Sequence, residues 1–105
     1  MPEQVMPLAE AVKHEQDQER LLRLLAFPNA TAPVFAAQRR DINDPVMRRL
    51  ACHNRPNVRL TLVNNNADRL PDDILKHLAE DIFPAIQERA REELNRRREA
   101  QGGAQ

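Results

Sequence analysis

The sequence predicts an all-α fold of stacked helical repeats, and three features of its 105 residues point there. A hexad of the form apolar, apolar, basic, any, Leu, Ala occurs three times, as Leu21 to Ala26, Val46 to Ala51 and Ile74 to Ala79. Recurrence at intervals of this size marks units that cannot bury an apolar face alone and therefore stack. Aromatic content is only 3%, with no Trp and no Tyr, so the core must be Leu, Ile, Val, Met and Ala, which suits helix packing. The two glycines, Gly102 and Gly103, leave almost no position for the positive-φ turns of hairpin sheets.

The elements follow in order. After Pro2 and Pro7, the spacing of Leu8, Ala9, Ala11 and Val12 suits a short helix with Pro7 in its first turn. The polar run His14 to Glu19 reads as the exposed start of a second helix reaching Phe27, its acids favouring a helix N-terminus. On a 3.6-residue period Leu21, Leu22, Leu25 and Ala26 share its buried face, while Arg23 points away. Pro28 stops it. Asn29-Ala30-Thr31 matches the glycosylation acceptor pattern, but reads here as a helix stop followed by a cap.

A helical stretch over Val34 to Arg40 comes next, then a turn in which Asn43 or Asp44 caps the second hexad and Pro45 lies near its first helical position. Cys52-His53-Asn54-Arg55 leads to Pro56, which opens a helix over Asn57 to Asn64. Asn64-Asn65-Asn66 ends that helix, since Asn tolerates the left-handed conformation of a helix stop. Pro71-Asp72-Asp73 starts the third hexad helix, which runs to Asp81. Pro84 opens the last helix, through Ala100, with Glu92/Arg96 and Glu93/Arg97 in the favourable acid-first order and Gly102 and Gly103 at its end.

Each unit is thus a helix, a proline-marked break and a partner helix, the break carrying Pro33-Val34, Pro56-Asn57-Val58 or Pro84-Ala85-Ile86. About three helix pairs form a single domain over residues 1–105. Residues 1–19 are an N-terminal cap, 20–87 the repeats, 88–101 a C-terminal capping helix and 102–105 a disordered tail.

The pattern resembles the leucine-rich repeat variant family and, more loosely, the HEAT-like α-solenoids. The carrying residues are Leu50-Ala51 followed by Pro56-Asn57-Val58-Arg59 and Asn64, and then Leu70-Pro71-Asp72-Asp73 with the third hexad through Asp81. Gln87 and Phe35 depart from the pattern where it places Arg. The resemblance implies a short right-handed α-solenoid offering a binding surface, with no shared chemistry. Some members of the family carry a cysteine-bound iron–sulfur cluster, which a chain with only Cys52 cannot ligate.

Charge narrows the function classes. The formal net charge is zero, so no bulk field favours nucleic acid or an anionic membrane. Locally, residues 20–59 form a basic block of eight Arg against two Asp, between acidic flanks. One cysteine excludes an internal disulfide and fits a reducing compartment. The start of the chain shows no leader pattern and no apolar run approaches the ~20 residues of a membrane span, so a cytoplasmic protein is expected.

The repeated basic position, Arg23, Arg48 and Lys76, is the leading candidate for a binding row, which Arg49 and His77 widen. Cations in a row suit an acidic peptide, a phosphate-bearing ligand or a nucleic-acid backbone; basic residues at such positions also serve solubility alone. Cys52, His53, His77 and Asp81 admit a thiol–imidazole or metal arrangement only loosely, and Cys52 reads better as a small buried residue closing its helix. The acid pairs Asp72-Asp73 and Glu80-Asp81 are explained by a helix start and by exposure near a helix end. No metal, cofactor or catalytic role is expected. The expected function is a small adaptor, monomer or homodimer, that binds another protein, one with an acidic surface fitting best. The alternative is a nucleic-acid-binding regulator using residues 20–59. The stripe Ile82, Ile86, Ala90 and Leu94 either closes the core or binds a second copy.

Overall fold

A computed structural model describes residues 7–102, and these are all-helical. The seven helices are α1 (Leu8–His14), α2 (Gln18–Leu24), α3 (Ala32–Gln38), α4 (Asp44–Ala51), α5 (Pro56–Asn66), α6 (Asp72–Ala79) and α7 (Pro84–Gly102). The expectations placed on Pro2 and on residues 103–105 lie outside the described residues, whereas Gly102 is the last residue of α7 and not part of a tail.

Local chemistry sets the boundaries. Asp17 caps α2 by accepting from the Glu19 and Arg20 N–H groups, so the polar run divides: His14 closes α1, 15–17 link, and only Gln18 and Glu19 join α2. Asn43 caps α4, accepting from the Val46 N–H, with Pro in the first turn. Thr31 stands at the start of α3 without a capping bond; Asn29 Oδ1 accepts from the Thr31 and Ala32 N–H groups instead. No described residue has a positive φ, so the expected left-handed stop at the asparagine run is not formed; α5 continues through Asn66.

Packing is regular: α2 lies on α4 and α4 on α6, while α1 lies on α3, α3 on α5 and α5 on α7. Two rows result, one of the hexad helices and one of their partners. The core between them contains Leu21, Leu50, Leu75 and Leu78 from the first row and Val58, Leu62, Ile86 and Ala90 from the second, each at most 1% exposed. The α7 stripe therefore closes the core through Ile86 and Ala90, with Leu94 half-buried, but Ile82 lies outside it at 85% exposed. The first hexad is truncated: α2 ends at Leu24, and Ala26 is exposed where Ala51 and Ala79 are buried. The body measures 66 × 26 × 15 Å, with a radius of gyration of 15.4 Å against about 13 Å for a near-spherical domain of this length.

A polar ladder joins the partner row. The last carbonyls of a helix have no intrahelical donor, and here a side chain from the next helix or its end supplies one. Arg39 donates to the Val12 carbonyl at 2.7 Å, Asn66 to the Ala37 and Arg39 carbonyls at 3.1 Å each, and Arg97 to the Ala67 carbonyl at 2.9 Å. Asn66 is wholly buried, and its Oδ1 accepts from Arg69.

Candidate functional site

The hexad helices α2, α4 and α6 all end at one edge, where connections lead back to α3, α5 and α7. Two grooves run between these ends. The α2/α4 groove, about 350 Å³, is lined by Phe27, Pro28, Arg49, His53 and Arg55 among others. The α4/α6 groove, about 340 Å³, is lined by Cys52, His53, Arg59, His77, Asp81 and Ile82 among others. His53 and Asn54 border both, so the grooves form one continuous surface. On this edge stand all the large apolar side chains that are well exposed among the described residues: Phe27 at 60%, Ile82 at 85% and Phe83 at 41%.

One ion pair fixes the middle of the edge. Arg59 makes two bonds to the Asp81 carboxylate, at 2.7 and 3.1 Å, and a third to the His53 carbonyl at 2.6 Å. Both side chains of the pair are largely buried. Burial pushes the Asp81 carboxyl up, but Arg59 and the Phe83 N–H outweigh it and hold the group below its ordinary value. The Arg59 guanidinium also lies over the Phe83 ring, 5.7 Å from its centroid. Asp81 is therefore a buried partner and not the exposed helix-end acid that the sequence suggests.

The five predicted binding residues are all exposed; Arg48 and His77 line one groove between α4 and α6 with Cys52 and Asp73, and the others border different grooves or none. Arg49 lines the α2/α4 groove, and His77 the α4/α6 groove. Arg48 pairs with Asp73 of the next helix and with Asp44 of its own, so carboxylates interrupt the basic row at its centre. Lys76 borders a separate groove with Asp72, Leu94 and Arg97, and Arg23 stands on α2 with no ion pair among the described residues. Cys52 is exposed, correcting its expected burial: α4 ends at Ala51, and Cys52 lies in the turn beyond the packed face. Cys52, His53, His77 and Asp81 do border one groove. Asp81 is committed to Arg59, however, and the described residues hold no group of three or more metal-ligating side chains.

Electrostatics differ between the two grooves. Of the eight arginines in residues 20–59, Arg39, Arg40, Arg48 and Arg59 are paired with acids. Arg49 and Arg55 have no ion pair among the described residues, and no acid lines their groove. Burial first, then the charges of Arg55, Arg59 and Arg49, hold the His53 imidazole below its ordinary value. Its Nδ1 accepts the Arg55 N–H, which leaves Nε2 as the position for a proton on the neutral ring.

Of the apolar part of the edge, periodicity named only Ile82, in the stripe with Ile86, Ala90 and Leu94; Phe27 and Phe83, which fall between helices, were missed. A signal existed in the dipeptides Phe27-Pro28 and Phe83-Pro84, where an aromatic residue stands against the proline that follows one helix or opens the next. The chain matches no protein-family profile, no curated protein and no solved structure.

Proposed function

We propose that the chain is a small helical-repeat interaction module without catalysis of its own, and that it binds another protein along the edge formed by the C-terminal ends of α2, α4 and α6. In this reading the two rows are a short right-handed α-solenoid of the kind that leucine-rich repeat variant and HEAT-like proteins form. The succession of contacts from each helix to the one two places along supports it. The observation that carries the binding role is the gathering of Phe27, Ile82 and Phe83, the exposed large apolar side chains among the described residues, on one grooved edge. Half of the basic block is spent on internal ion pairs, which favours a protein partner over a nucleic-acid backbone.

A photo-crosslinking side chain introduced at Ile82, with the same group at exposed Asn64 on α5 as control, tests this in extracts of the source cells. The expected result is a discrete crosslinked protein from position 82 that Phe27→Ser abolishes and that position 64 does not give. Equal labelling from both positions, or recovery only of free protein that turns over a small molecule, contradicts the proposal.

A further inference from the structure

The α2/α4 groove is more specific than a general apolar edge. It combines an exposed aromatic ring, Phe27, with two guanidinium groups, Arg49 and Arg55, that make no ion pair among the described residues. Four other arginines of the basic block are taken by acids, Arg39 by Asp41, Arg40 by Asp68, Arg48 by Asp44 and Asp73 and Arg59 by Asp81, whereas no acid lines this groove. At the rim α5 begins at Pro56 with neither a capping side chain nor an acid in its first turn, which leaves its partial positive charge uncompensated.

Resting on the module reading above, we infer that this groove takes an acidic peptide segment of the partner protein, with an apolar side chain against Phe27 and an adjacent carboxylate held by Arg49 and Arg55. The planar guanidinium presents paired donors that match the two oxygens of a carboxylate. Charge complementarity selects a short acidic cluster over a continuous polyanion, because exposed Glu80 stands on the neighbouring groove and repels a chain of phosphates that runs on past Arg55. The His53 imidazole, sharing the field of both arginines, offers a further donor to the same ligand.

Random-peptide display on the full chain, followed by anisotropy titration of an enriched, labelled peptide, tests the inference. Enriched peptides are expected to pair Asp or Glu with an aromatic or aliphatic residue. The double change Arg49→Glu and Arg55→Glu is expected to weaken binding by about tenfold or more, the loss of charge-assisted bonds. Reversing the acids of the peptide to Lys restores part of it, while Arg23→Glu, a single charge reversal on α2 outside the groove, leaves affinity within about twofold, as for an exposed charge outside the contact. Both arginines are exposed, so the variants are expected to fold, which circular dichroism checks. The inference is overturned by enrichment of peptides without acids, by no enrichment, by equal loss with Arg23→Glu, or by tight binding of single-stranded nucleic acid that the same double change removes. Enriched peptides that depend on Phe27 and Ile82 but not on Arg49 and Arg55 would sink this inference alone. Loss of the Ile82 crosslink as well would sink the module reading.

Discussion

Asp81 and Asp68 each face an arginine across helices, yet their surroundings give the two pairs different weight. The Asp68 carboxyl is pulled down to about 2, chiefly by the Arg40 hydrogen bonds, but the pair is open to solvent, where screening and side-chain entropy cancel most of the gain. Asp81→Asn leaves Arg59 buried with a weakened partner and is expected to cost roughly 3 kcal/mol, whereas Asp68→Asn leaves the urea midpoint nearly unchanged. Equal effects in the two unfolding curves would contradict this. Asn66→Ala strips the donor from two carbonyls and a partner from Arg69, and is expected to cost about 3 kcal/mol in the same measurement. Little of this was legible in sequence. An Asp after a helix and the last of three asparagines are ordinary loop chemistry, and only the packing of a helix some 22 to 29 residues away makes them buried partners.

Helices themselves were far more legible, because caps and prolines act within a few residues. Asn43 ahead of Pro45, Pro56, Pro84 and the acids after Pro71 marked starts that the structure keeps to within a residue or two. Stops were read less well, since they depend on what covers the last turn: α2 gives way at Leu24 and α5 persists to Asn66. Glu93 shows the same limit on α7. It pairs with Arg97 as the i,i+4 spacing predicts, but it also takes Arg96, and its side chain is only 5% exposed. Glu92 instead pairs with Arg89. On the apolar face of α7, Ile86→Ala is expected to cost about 2–5 kcal/mol, because it opens a cavity between the rows. Ile82→Ala is expected to leave stability unchanged, and a loss comparable to that of Ile86→Ala would mean that Ile82 belongs to the core.

Across the whole molecule, from neutral pH downward, the shifted carboxyls and His53 pull stability one way. The carboxyls of Asp41, Asp68, Asp73, Asp81 and Glu93 lie below their unfolded values, so each contributes stability above that value and loses it as pH falls through the folded one. His53, lowered from 6.5 by burial first and then by neighbouring arginines, favours the neutral ring, and its contribution is lost from pH 6.5 downward to its folded value. Thermal midpoints are therefore expected to decline in two stages, a shallow one beginning near pH 6.5 that His53→Gln removes and a steeper one below about pH 4 that it does not. A single decline unaffected by His53→Gln would contradict this. At the same scale the all-helical character was legible in the three hexads, but the grooved edge was not: it arises only when three helix ends are set side by side, bringing Phe27 beside Arg49 and Arg55, and Ile82 beside His53. Binding at that edge is tested by amide hydrogen exchange on the full chain with and without a saturating peptide selected for binding. Protection is expected over residues 25–31, 49–55 and 80–83, with the helices α1 and α3 unchanged; protection concentrated on α1, α3 or the outer half of α7 would place the binding surface elsewhere.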